Sequence, residues 1–331
     1  MKFQNPSILY ADASSLIKEN ESSIRELKKL NIPSGIFWLF MVWLTCVAVL
    51  LGATYLYRND LLWFTFAYPF LIFIIAGRQG AFLQLVHEAT HQLLSKNKKI
   101  NDAIGEWLCA APIGLSMAEY RSEHGRHHNH AGTSLDCEND RSKYQETNIS
   151  GWPLWNLFIK DIVGITAIER VFNEFSKKND SANAVRKNIR TLVMQIVIFF
   201  AVFDFDLKLY ALLWIVPLFT ANMVLMRVRG IAEHGLANQL ALVPLNGYEG
   251  AMLTRTLNSP ESKSSYLTKF IERILIGSLS INYHLEHHLV PNVPHYNLKK
   301  LYDVLDVSKN LGNKENYRCG YFSSLFVGSE R

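Results

Sequence analysis

Long uncharged apolar runs recur along the chain, and their lengths decide its class. From Ile36 to Tyr57 the sequence reads IFWLFMVWLTCVAVLLGATYLY, 22 residues without a charge. A helix of that length rises far enough to cross a hydrocarbon core of about 30 Å. Only Arg58-Asn59-Asp60 separates it from the next run, Leu61 to Gly77, and so short a polar link predicts two antiparallel helices. A second pair reads as Thr191 to Phe203, continued by the turn Asp204-Phe205-Asp206, and then Leu209 to Met226. Its first member is the shortest and weakest of the four. A buried core helix of a soluble protein would explain one such run but not two successive hairpins. The pattern therefore predicts an all-α integral membrane protein with four transmembrane helices in two hairpins.

The polar stretches between these runs divide one domain, 1–331, into a 1–35 arm, a 36–77 hairpin, a 78–188 region, a 189–226 hairpin and a 227–331 region. Trp107 to Met117 and Trp152 to Ile168 are apolar with aromatic residues, and are expected to lie along the membrane surface or dip into it. Ser176 to Asn183 and Ser259 to Ser265 read as loops. The 49% hydrophobic composition agrees with a membrane protein. Of 34 lysines and arginines, only Arg58 and Lys208 fall in the two hairpin links, so positive-inside bias places both termini and the long polar regions in the cytoplasm. A net charge of +5 suits anionic headgroups and equally suits plain solubility; it assigns no nucleic-acid partner. The first apolar run starts too late and is too long for a cleaved signal peptide, and reads as a retained anchor. Cys46, Cys109, Cys137 and Cys319 form no Cys-x-x-Cys pair, so neither a disulfide framework nor a thiolate metal site is indicated.

The chemistry lies in the histidines. Eight of the 11 fall in three boxes, His87-Glu-Ala-Thr-His91, His124-Gly-Arg-His127-His128 and His284-Leu-Glu-His287-His288. Spacings of three and four put imidazoles on one helix face, and neutral imidazole suits zinc, copper, iron and nickel. One such pair alone is common on solvated helices; three boxes in one chain point to a site for two metal ions. All three fall on the cytoplasmic side of the expected topology, so the apolar runs carry a cytoplasmic helical cap.

The order of these boxes resembles that of the membrane fatty acid desaturase and hydroxylase superfamily, closest in look to bacterial acyl desaturases. The third box lies inside Asn282-Tyr-His-Leu-Glu-His-His-Leu-Val-Pro-Asn-Val-Pro-His-Tyr-Asn-Leu. Further matches are Asn101-Asp102, Tyr120-Arg121, Thr133 and Asp136, and Arg229-Gly-Ile-Ala-Glu-His-Gly. The resemblance covers most of the chain. It implies a non-haem di-iron centre at the cytoplasmic face of four transmembrane helices, with His87, His91, His124, His127, His128, His284, His287 and His288 as ligands and His234 as a ninth. Zinc takes four ligands in structural sites and usually three in catalytic ones, so nine favour a pair of irons. Imidazoles also resist oxidation where thiolates would not. His130 and His295 fall outside the matched positions and read as surface residues or as supports behind the ligands.

Glu88, Asp136, Asp140, Glu233 and Glu286 stand beside or shortly after the boxes. There a carboxylate that accepts the second imidazole N–H would fix tautomer and basicity; the competing reading sets Glu88 and Glu286 on solvent-facing sides of their helices. Arg121 and Arg126 are candidates to pair with such carboxylates or with an anionic head group.

The resemblance further implies a dioxygen-dependent desaturase that introduces a cis double bond into an acyl-lipid or acyl-thioester. The third box begins with His rather than Gln and no Pro-Gly-Gly haem motif is present, so electrons are expected from a separate donor of ferredoxin, rubredoxin or cytochrome b5 type. The alternatives are a hydroxylase or ketolase of the same superfamily, acting on a carotenoid, an alkane or a specialised small molecule, and a non-enzymatic membrane metal-binding or transport protein. The last would carry polar ligands within the spans, whereas Ile36 to Tyr57 and Leu61 to Gly77 contain no histidine.

Overall fold

A computed structural model describes residues 6–131, 135–136, 152–176, 181–234, 249–306 and 319–325. Two helices dominate it, α3 (Ile32–Asn59) and α4 (Leu61–Thr90), preceded by the short α1 (Pro6–Glu19) and α2 (Glu21–Leu27). Asn31 starts α3 by accepting from the Ser34 N–H at 3.1 Å. Asp60 alone joins α3 to α4: its N–H donates to Leu56 and its carboxylate accepts from the Trp63 N–H at 3.0 Å. One residue thus ends one helix and caps the next. The two run antiparallel, since Tyr57 meets Phe64 beside the link while Trp43 meets Phe82 farther away.

Their outer faces carry Phe40, Leu51, Tyr55, Leu62, Phe66 and Phe70, each at least half exposed. So broad an apolar belt is foreign to a soluble exterior and suits lipid contact. Past Phe70 the character of α4 changes. Ile75, Phe82, Leu85 and Val86 are fully buried, and Gln79, Gln84, His87 and Glu88 are buried with them, so α4 runs from an apolar surface into the protein core.

After α5 (Lys98–Ile104) the chain makes a π-helical turn, Gly105–Ala110, and a 3-10 turn, Ala111–Ile113, ended by Gly114 at φ +73°. The Trp107 to Met117 segment is therefore a wedge. Cys109, Ala110 and Ala111 are buried, and its carbonyls accept from Trp43 Nε1 and Gln195 Nε2. It leads into α6 (Met117–His130), whose cap Ser116 accepts from the Glu119 N–H. Then follow α7 (Trp152–Ile162), α8 (Ile165–Ser176) and α9 (Ser181–Phe203).

α10 runs from Leu207 to His234, with a π-helical turn at Ala211–Ile215 and a break at Thr220. Among the described residues three helices, α3, α4 and α10, are long and apolar enough to cross a membrane. Thr191 to Phe203 lies in α9, whose first half carries Arg186, Lys187 and Arg190. Lys187 pairs with Glu119 and Arg190 with Glu106, so the charged half of α9 is tied to the elements around α6.

The remaining helices are α11 (Tyr266–Leu275), α12 (His284–Leu289), α13 (His295–Leu305) and α14 (Tyr321–Ser324). α11 crosses α4 at Gly77, where a Cβ would stand 2.9 Å from the Ile274 carbonyl oxygen and from Leu275 Cα. Only glycine lets these backbones approach so closely.

Candidate metal centre

The buried end of α4 brings His87 and, at its C-cap, His91 to one place. Arg121 of α6 holds that end. Its guanidinium donates to the Ala89 carbonyl at 3.1 Å and pairs with Asp102 at 2.7 Å, and Asn101 Nδ2 donates to the same carbonyl at 2.8 Å. Carbonyls left open at a helix C-terminus are thereby satisfied by an arginine and an amide, and α6 is fixed against α4. His124, His127 and His128 follow on α6, His234 ends α10, and His284, His287 and His288 lie on α12.

All nine histidines converge in two adjacent groups. His87, His91, His124, His128 and His287 form one; His127, His234, His284 and His288 form the other. Within each group the candidate ligand atoms lie within 4.8 Å of one another. In the first, Nε2 of His124 is 3.0 Å from that of His91 and 2.9 Å from that of His128; Nε2 of His287 is 2.9 Å from that of His87 and 3.0 Å from that of His128. In the second, Nε2 of His284 is 3.0 Å from that of His234 and 3.2 Å from that of His288, which lies 3.3 Å from that of His127.

Hydrogen bonding cannot account for this packing. A ring nitrogen offers one in-plane position, a proton or a lone pair, yet Nε2 of His124, His128, His284, His287 and His288 each faces two others. A cation that accepts all the lone pairs resolves the conflict. Charge agrees. Burial, reinforced by the neighbouring imidazoles, holds His124, His128, His284, His287 and His288 well below the usual imidazole range. Burial also pushes His91 down to about 4; Glu88 opposes the shift and Arg121 adds to it. Neutral rings keep their lone pairs for metal. The residues present therefore fit two ions, four nitrogens around one and five around the other, within an all-nitrogen set suited to iron.

The carboxylates are less uniform. Asp136 accepts from His127 Nδ1 at 2.9 and 3.1 Å, with both side chains buried. Glu233 binds Arg229 Nε with both oxygens at 2.9 Å, accepts from the Tyr321 hydroxyl at 3.2 Å, and stands 3.7 Å from His284 Nε2. Glu88 is buried rather than solvated, and accepts from His295 Nδ1 at 2.9 Å instead of from a box histidine. Glu286, also buried, accepts from Thr256 Oγ1 at 2.5 Å, and burial raises its carboxyl to about 7 against that hydrogen bond. Asp140 lies outside the described residues.

The same fold region is what the comparisons with known proteins identify. The family model described as Fatty acid desaturase matches residues 61–310, from the start of α4 past the end of α13 and through all nine histidines. The chain belongs to the fatty acid desaturase family. Dihydrorhizobitoxine desaturase of Bradyrhizobium elkanii is similar to it, 27% identical over 255 residues, which are 70% of this chain and 66% of that relative's length.

The partners of the carboxylates are what sequence reasoning left unassigned. Tyr321 and Arg229 hold Glu233, His295, expected at the surface or behind the ligands, holds Glu88, and the Gln84 amide, one turn before His87 on α4, is buried with no partner for either its nitrogen or its oxygen. Arg229 and Glu233 are four residues apart, a helical ion-pair spacing that the sequence displays. Tyr321 carries no such signal.

Proposed function

We propose that the protein is a dioxygen-dependent oxidoreductase that introduces a cis double bond into a fatty acyl chain of a lipid or thioester. The observation that carries this reading is the convergence of nine imidazoles at the inner ends of long apolar helices, in a chain of the fatty acid desaturase family. His87, His91, His124, His128 and His287 would hold one iron, and His127, His234, His284 and His288 the other. Iron held there would supply the redox chemistry by which dioxygen removes hydrogen from an unactivated methylene pair. The methylenes lose two hydrogens, dioxygen leaves as two waters, two electrons come one at a time from a separate donor of ferredoxin, rubredoxin or cytochrome b5 type, and two protons come from solvent.

The chain's own residues set the conditions. Burial of His87, His127 and His287 excludes bulk water from the reacting region. Asp136 fixes the His127 tautomer so that Nε2 faces inward. We read α9 as a fourth span beside α3, α4 and α10, giving two hairpins in one domain, with the histidine-bearing cap on the cytoplasmic face.

A second reading, a substrate other than an acyl chain, is favoured by the relative whose name gives dihydrorhizobitoxine as what it desaturates. Mass spectrometry of total lipids from a host expressing the chain with an active donor separates the two. New unsaturated acyl chains, absent with His287→Ala, support the acyl reading. Unchanged lipids alongside an iron-loaded protein would overturn it in favour of a non-lipid substrate.

A further inference from the structure

Where α2 gives way to α3, the chain is pinned against the start of α13. The Asn31 N–H donates to the Tyr296 hydroxyl at 2.8 Å, and Asn297 Nδ2 donates to the Leu27 carbonyl at 2.9 Å. Beside this seam lies an open cleft of about 750 Å³, lined by residues 29–34, Lys96, Tyr296, Asn297 and Lys300. Three lysines thus reach it from three separate segments: Lys29 ahead of α3, Lys96 just past α4, and Lys300 on α13.

All three are exposed. Lys29 is shared with Glu26 at 2.6 Å, an exposed pair of the kind that neutralises little. Lys96 and Lys300 have no carboxylate partner among the described residues. The N-terminus of α3 adds partial charge of the same sign. Positive charge gathered in one concavity and left unrelieved by the protein suits an anion.

The cleft also has an apolar exit. Ile32 lines it, and Ile36 and Phe40 follow at four-residue steps on the same side of α3, 54% and 59% exposed. This ridge leads from the lysines into the lipid-facing belt. A free phosphate or an acidic protein would meet the lysines and leave the ridge idle. A phospholipid uses both, with its phosphate among the ammonium groups and an acyl chain along the ridge. Lysines that flank a membrane span are also the usual contacts of anionic headgroups.

We propose that this cleft is a binding site for the headgroup of an anionic phospholipid, separate from the histidine centre. The inference rests on α3 and α4 crossing the membrane and is independent of the reaction.

The test uses the full-length protein, purified in detergent and stripped of lipid. It is titrated with phosphatidylglycerol and with phosphatidylcholine of the same acyl chains, and bound lipid is counted by native mass spectrometry. Phosphatidylglycerol is expected to bind about tenfold tighter, with the preference shrinking as salt rises. Lys96→Gln and Lys300→Gln are each expected to weaken phosphatidylglycerol about fivefold and to leave phosphatidylcholine unchanged. Lys208→Gln, beside Tyr57 at the far end of α3, is expected to change neither. Ile36→Asn is expected to weaken both lipids alike. Equal affinity for the two lipids, or an undiminished preference in the Lys96→Gln, Lys300→Gln double variant, would overturn the proposal. Displacement of the lipid by inorganic phosphate beyond the effect of chloride at equal ionic strength would overturn it in favour of a free anion. Release of the chain from membranes by alkaline carbonate would instead refute the membrane placement itself.

Discussion

Asp136 accepts from His127 Nδ1 at 2.9 Å in a pair that is buried on both sides. The carboxylate pins the ring so that Nε2 points at His288, 3.3 Å away. Asp136→Asn keeps the shape and removes the charge. It is expected to weaken metal binding to the four-histidine group by about tenfold to a hundredfold and to leave the five-histidine group unchanged, as metal titration of the purified variant would show. Equal weakening at both groups would contradict the assignment of Asp136 to one ion.

The crossing of α4 and α11 at Gly77 yields a packing prediction. Gly77→Ala puts a methyl carbon 2.9 Å from backbone atoms of Ile274 and Leu275, which cannot yield as a side-chain tip would. Overpacking of this kind costs about 1–3 kcal/mol. Gly52→Ala, which meets nothing within 4 Å, is expected to be neutral or slightly stabilising through helix propensity. Thermal unfolding in detergent compares the two directly, and equal melting temperatures would count against so close an approach of α11 to α4.

Arg227 and Asp161 form a buried ion pair between α10 and α7, and Thr166 donates to the same carboxylate at 2.6 Å. Removing one partner strands the other charge, at a cost of about 3–5 kcal/mol. Arg227→Met is therefore expected to destabilise strongly, and Arg227→Met combined with Asp161→Leu to recover much of the loss. A double variant less stable than either single one would show that the pair contributes through its contacts rather than through mutual neutralisation.

The histidine set was legible in the sequence because ligands at i, i+3 and i+4 share a helix face whatever the rest of the chain does; His87 with His91, and His124 with His127 and His128, needed only α4 and α6 to be helical. The partners of the carboxylates were not legible, because they depend on distant elements meeting. Glu88 finds His295, 207 residues away, and Glu233 finds Tyr321, 88 residues away. Neither distance leaves a periodicity to read. The apolar runs marked out α3, α4 and α10, whereas α9 mixes a charged half with an apolar half, and composition alone sees only the latter. Trp107 to Met117 read as lying along the membrane surface or dipping into it; its buried Cys109 and Ala110 show a wedge against α4 and α9.

The division of nine histidines into groups of five and four is the central claim, and iron content per chain tests it most directly. The wild type, His287→Ala and His234→Ala would be purified in parallel under reducing conditions, loaded with ferrous iron and analysed for bound metal. Two irons in the wild type are expected, with one lost or weakened at the five-histidine group in His287→Ala and one at the four-histidine group in His234→Ala. A wild type that binds no iron, or a single ion whose loss follows either substitution alike, would contradict it.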